Sequence, residues 1–175
     1  MSHCEPHWYA LRVRSRHEKR VVAALEGEDV EVFLPIYRTR RQWSDRVKAV
    51  ELPLFPGYLF VRSCLDPESK LAILRASRSI VEIVGTRRRP APIPSVEIES
   101  IRTLINSTAE IFPVDQFEEG RRVRVVGGPF HDVEGIVLRR GAHRTIVCTV
   151  PLLGRAVKTH LSEGNLIPVS APPSG

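Results

Sequence analysis

The 175-residue sequence predicts an α+β module followed by a small all-β one. Strand-like and helix-like apolar periods alternate through residues 1–105, which gives an antiparallel sheet flanked by about three helices. Past residue 117 only short β-branched runs remain between turn residues, and five of them in about fifty residues describe a small closed barrel. Charge divides at the same place: 18 Lys and Arg stand against 13 Asp and Glu in residues 1–105, but 8 against 7 in residues 106–175. Residues 106–117 contain Pro113, hold no sustained period and read as a linker, leaving residues 118–175 to the barrel.

Residues 8–14 form the first expected strand, with Trp8, Ala10 and Arg12 on one face and Tyr9, Leu11 and Val13 on the other. Ser15 and Glu18 make a capping-box pattern for the helix that follows, in which Val21, Val22 and Leu25 supply an apolar stripe before Gly27 ends it. Residues 32–37 are a second strand, where Pro35 marks an edge or a bulge. It runs into Arg38-Thr39-Arg40-Arg41, and residues 42–52 alternate loosely, as an exposed hairpin would. Asp66 is placed to cap a short helix that Pro67 begins and that carries Leu71 and Leu74. Residues 79–84 are a β-branched strand, and prolines 90, 92 and 94 stiffen the loop after Arg87-Arg88-Arg89. Ser95 then caps a helix with Val96, Ile98, Ile101, Leu104 and Ile105 at helical spacing. The barrel strands are residues 121–126, 133–140, 144–150, 155–161 and 166–169.

Between the hairpin and the Asp66 helix lies Leu54-Phe55-Pro56-Gly57-Tyr58-Leu59-Phe60-Val61, with three of the chain's eleven Phe, Tyr and Trp side chains in six positions. Pro56 fixes its own φ and biases Phe55 towards an extended conformation, while Gly57 permits a close backbone approach. Alternation sends Leu59 and Val61 inward and leaves Tyr58 and Phe60 to make an aromatic docking surface. A central strand buried on both faces is the plainer alternative.

Several function classes are disfavoured. A hydrophobic fraction of 42% and a charged fraction of 26% are those of a soluble protein, and no apolar run reaches the length of a membrane span. Cys4, Cys64 and Cys148 are odd in number and far apart in sequence, which fits reduced thiols in a cytoplasmic protein better than a disulfide framework. His3, Cys4 and His7 lack a second ligand pair for a metal. The remaining histidines are scattered and no serine or cysteine sits in a nucleophile motif, so neither an enzyme nor a cofactor is expected. The glycine-rich residues 127–135 lack the Lys-Ser/Thr of a phosphate loop. They read instead as a turn projecting Phe130, with Phe130 folded into the barrel core as the alternative. Arg12, Arg14 and Arg16 alternate, Arg20 follows one turn into the next helix, and Lys70, Arg75 and Arg78 surround the second one. Such a set can line a phosphate path without reading bases, and a mixed solvated surface is the competing view.

Four motifs together resemble the NusG family of transcription elongation factors. They are Phe55-Pro56-Gly57-Tyr58, Trp8-Tyr9 at the start of the first strand, Arg89-Pro90-Ala91-Pro92-Ile93 before a helix, and Gly127-Gly128-Pro129-Phe130 with Gly135. They stand in the family's order at about its spacing. The resemblance implies a NusG N-terminal (NGN-like) domain joined to an SH3-like KOW barrel, acting in transcription elongation or antitermination. It implies a grip on the clamp helices of RNA polymerase through an apolar patch, for which Phe55, Tyr58 and Phe60, with Ile83 beside them, are the expected residues. In RfaH-type relatives the non-template DNA strand is read near the positions matching Arg14, Arg20, Lys70 and Arg78. Their polar His-Thr-Thr run is replaced here by Lys70-Leu71-Ala72, so contact with non-template DNA or nascent RNA is expected without their sequence specificity. The family's counterpart of Phe130 meets a small-subunit ribosomal protein or the termination factor Rho. The short region between Gly27 and Val32 and the abundant basic residues lean towards a specialised paralog of the RfaH type. The competing class is a ribosome-associated or RNA-binding KOW module that does not bind polymerase.

Overall fold

The computed structural model describes residues 4–42, 45–86, 89–107, 111–114, 121–125, 132–140, 143–150, 153, 155–161 and 166–168. The chain divides into two compact units, Met1–Ser95 and Val96–Gly175.

The first unit contains β1 (His7–Val13), α1 (Glu18–Leu25), β2 (Glu31–Phe33), β3 (Ile36–Gln42), β4 (Val47–Pro53), β5 (Tyr58–Ser63), α2 (Pro67–Ala76), β6 (Ile80–Ile83), β7 (Gly85–Thr86) and β8 (Arg89–Pro90). A four-stranded antiparallel sheet runs in the order β2-β5-β1-β6. β5 is therefore central, which accounts for a strand whose two faces are both apolar. On one face Tyr9, Leu11 and Val13 of β1 and Leu59 and Val61 of β5 pack with Val21 and Leu25 of α1 and Ile73 of α2. On the other, Trp8, Ala10 and Phe60 are equally buried. Each large apolar side chain sealed in this way contributes roughly 1.5–3 kcal/mol.

α2 begins where the sequence placed it. The Asp66 carboxylate accepts the Glu68 and Ser69 N–H groups, each at 3.0 Å, and the Ser69 hydroxyl at 2.6 Å. The Ser69 contacts, with the Glu68 N–H adding to them, hold the Asp66 carboxyl below the usual range. α1 begins differently. The expected Ser15 capping box does not form: the N-cap is His17, which makes no side-chain cap. Its imidazole instead lies 2.7 Å from the Ser79 hydroxyl, and the turn before it passes through Arg16 at φ 67°. The expected second strand is split, because Leu34-Pro35 ends the edge strand β2 and the chain turns out into a separate β3–β4 ribbon. Pro35 has no N–H for a ladder, and its carbonyl closes the ribbon's base by accepting the Leu54 N–H at 2.8 Å. The antiparallel pairing of β1 with β5 also carries Cys4 next to Cys64, thiols 60 residues apart in sequence.

The second unit takes up α3 (Ser95–Asn106) from Val96 onward, with β9 (Ile111–Val114), β10 (Arg121–Val125), β11 (Glu134–Arg140), β12 (His143–Val150), β13 (Arg155–Leu161) and β14 (Leu166–Pro168). Its six strands form one antiparallel sheet in the order β14-β10-β11-β12-β13-β9. The five strands expected from β-branched runs are all present. The sixth, β9, lies inside the segment read as a linker and pairs with β13 through Ile111↔Thr159 and Ala156↔Val114. Buried Ser100 of α3 accepts the Glu134 N–H at 3.0 Å beside the sealed Val133. An Arg124–Glu134 ion pair joins β10 to β11 where the register sets the two residues opposite each other.

Candidate functional site

The Phe55-Pro56-Gly57-Tyr58 bend is held from three sides. The Tyr58 N–H donates to the Phe55 carbonyl at 3.0 Å, and the Val13 N–H donates to the Gly57 carbonyl at 2.8 Å. The Gly57 N–H donates to Glu18 Oε1 at 2.8 Å. Gly57 sits at φ 82°, a left-handed conformation that costs any residue with a Cβ about 1–2 kcal/mol. Glu18 is 3% exposed and is the one buried acidic side chain among the described residues. Its carboxylate thus ties α1 to a bend 39 residues away instead of completing a helix cap.

The expected docking patch does not form as drawn. Phe60 is 0% exposed and Phe55 2%, so neither ring is available to a partner. Phe55 meets Phe60 edge-on with centroids 5.9 Å apart, Phe60 stacks on Phe33 at 6.1 Å, and Phe33 meets the edge of Trp8 at 6.3 Å. Alternation placed Phe60 on the face opposite Leu59 correctly, but these rings close that face over it. Ile83 points elsewhere: it lies opposite Leu11 and packs half-buried on the Leu11–Leu59 cluster. Tyr58 lies opposite Arg12, whose other neighbour is Glu82, so Tyr58, Arg12 and Glu82 form one row on the reverse face. Arg12 and Glu82 pair at 2.8 Å. Of the four expected residues, Tyr58 alone is partly open on the aromatic face.

The basic residues gather better than the aromatics. β1 ends at Val13, so Arg12, Arg14 and Arg16 do not share a strand face. The Arg14 N–H donates to the Ser79 carbonyl at 2.9 Å, which sets the turn after β1 beside Arg78. Arg20 on α1 and Lys70 on α2 belong to helices that pack together. Arg14, Arg20 and Arg78 are exposed and Lys70 half-buried. Further basic residues lie on the β3–β4 ribbon, visible in the sequence only as a run. Arg38, Arg40, Arg46 and Lys48 are exposed there; Arg38 and Arg40 share one face, with Arg38 paired to Glu51 at 3.1 Å, while Lys48 lies opposite Arg41 on the other. Period-two spacing of Arg38 and Arg40 in a hairpin was the signal for their shared face.

Phe130, His3, Arg87 and Arg88 lie outside the described residues. Among the described residues no group of three or more His, Cys, Asp and Glu is placed to hold a metal ion. Among them too, no helix is long and apolar enough to cross a membrane.

The described residues thus comprise an α+β unit carrying exposed basic residues on its helices, turns and ribbon, followed by a β-rich unit. The family described as "Transcription termination factor nusG" matches residues 6–102. The chain belongs to the NusG family, as the order of its motifs indicated. It is 29% identical over 170 residues to "Transcription termination/antitermination protein NusG" of Vibrio cholerae serotype O1, across 91% of this chain and 93% of that one. A protein of the same name from Borreliella burgdorferi is 30% identical over 147 residues, covering 74% and 80% of the two chains. A solved structure described as "Domain interaction in Thermotoga maritima NusG" superposes with a TM-score of 0.53 at 22% identity, over 90% of this chain and 93% of that one. That last likeness is one of fold.

Proposed function

We propose that this protein is a transcription elongation and antitermination factor that binds RNA polymerase through its first unit. The observation that carries the reading is the family match over residues 6–102, which spans the Phe55–Tyr58 bend and both basic helices. Tyr58 is the residue assigned to the polymerase clamp helices. Phe55, Phe60 and Phe33 act behind it as an internal ring stack that fixes the start of β5. An aromatic with an apolar body and a polar tip, set at the rim of a rigid sheet, suits an interface anchor. A factor seated there that binds the closed clamp tenfold more tightly than the open one shifts that equilibrium by about 1.4 kcal/mol, enough to shorten pauses without chemistry of its own.

Arg14, Arg20, Lys70 and Arg78 are assigned to the phosphates of non-template DNA or nascent RNA. Guanidinium and ammonium groups on two packed helices (Arg20, Lys70) and the turns beside them (Arg14, Arg78) bind a backbone in a salt-dependent, sequence-independent manner. Residues 118–175 are taken as the SH3-like KOW barrel, with Phe130 as its contact to a small-subunit ribosomal protein or Rho. Tethering a second machine in this way raises its effective concentration at the transcript. A photo-reactive phenylalanine analogue at position 58 tests the reading. A cross-link to the polymerase clamp supports it. Cross-links to RNA from residues 118–175, with none from position 58 to polymerase, would make the protein an RNA-binding module instead.

A further inference from the structure

Cys4 and Cys64 flank the ends of the β1–β5 pair, whose last matched residues are His7 and Ser63. Cys64 Sγ donates to the Cys4 carbonyl at 3.1 Å, and Cys4 Sγ to the Cys64 carbonyl at 3.6 Å. Reciprocal contacts of this kind set two thiols side by side across 60 residues of chain. Both are free, Cys4 exposed and Cys64 partly so, which leaves the pair open to small solutes.

We propose that Cys4 and Cys64 are a redox modification site that takes a peroxide as its oxidant and closes to a reversible disulfide. The exposed Cys4, as thiolate, attacks a peroxide oxygen; the O–O bond breaks, water or an alcohol leaves, and Cys4 becomes a sulfenic acid. The Cys64 thiolate then attacks that sulfur, the S–S bond forms, and hydroxide leaves and takes up a proton as water. With hydrogen peroxide the sum is two thiols and one peroxide giving one disulfide and two waters, the two electrons passing from sulfur to oxygen. A dithiol reductant reverses it. The hydrogen bond with Cys4, with burial and the nearby Asp66 carboxylate acting in the same direction, pushes the Cys64 thiol up to about 11. Thiolate is therefore scarce at neutral pH, and closure accelerates as pH rises. The closed loop holds α1, the β3–β4 ribbon and the Gly57 bend, so oxidation ties the chain ahead of β1 to the end of β5 and limits the freedom of the unfolded state.

The test uses the full chain treated with hydrogen peroxide. Titratable thiols should fall from three to one. A non-reducing tryptic digest should yield residues 1–12 joined to residues 63–70. The melting temperature should rise by about 5–15 °C over the sample treated with dithiothreitol. Cys4→Ser and Cys64→Ser should each abolish the joined peptide and the shift, while Cys148→Ser retains both. A treated protein in which Cys4 goes on to sulfinic acid, pairs with Cys148, or links two chains, with no 1–12/63–70 peptide, overturns the proposal.

Discussion

Glu18→Ala probes the tie between α1 and the Gly57 bend. The carboxylate is 3% exposed and receives the Gly57 N–H at 2.8 Å. A hydrogen bond to a charged acceptor contributes about 1.5–3 kcal/mol, and its loss leaves the half-buried Gly57 amide without that acceptor. The one methylene removed, Cγ, adds about 0.8 kcal/mol. The expected total is about 2.5–4 kcal/mol, whereas Glu18→Gln keeps the stem and an acceptor oxygen and should cost about 1 kcal/mol. Urea unfolding at neutral pH reads the difference: with a slope of about 2 kcal/mol/M, the alanine variant should unfold about 1–2 M earlier. Amide hydrogen exchange at Gly57 should quicken in the same variant. An alanine variant that unfolds at the wild-type midpoint with Gly57 still protected would refute the inference that this carboxylate holds the bend.

Phe60→Ala empties the centre of the ring stack and should cost about 3–5 kcal/mol, read as a loss of stability before any loss of binding. Asp66 is held below the usual carboxyl range by Ser69 and the first turn of α2. Its stabilisation is thus complete above the unfolded value of about 3.9 and disappears as pH falls through the lower folded value. Melts of wild type and Asp66→Ala should therefore differ at pH 7 and converge in acid. Single-stranded DNA affinity should fall with salt, and Arg20→Ala or Lys70→Ala should each flatten the log–log slope by about 0.7, whatever the base sequence.

Much of the fold was legible because its signals are local. The Asp66-Pro67 start of α2 needs only its own first turn, and the strands of the second unit follow from β-branched runs between turn residues. Alternation also told which face of β5 each residue takes. It could not tell that the second face is closed, since this depends on Phe33 from β2 and Trp8 from β1, whose arrival is a matter of sheet order. Glu18 fitted a helix-capping pattern three residues after Ser15, yet a long-range backbone donor won it. β9 is short, contains Pro113, and owes its existence to β13 more than forty residues later. Cys4 and Cys64 looked remote for the same reason: only the β1–β5 register brings them together. What the sequence conceals here is pairing between distant segments, and the candidate site consists mostly of such pairings.

Tyr58 is where the proposed attachment to polymerase concentrates. The direct measurement is the dissociation constant of Tyr58→Ala for core RNA polymerase, beside a melting curve showing that the variant is folded. A rise of tenfold or more, equal to about 1.4 kcal/mol, is predicted for an anchor of this kind. A folded variant that binds core polymerase as tightly as the wild type would contradict the assignment.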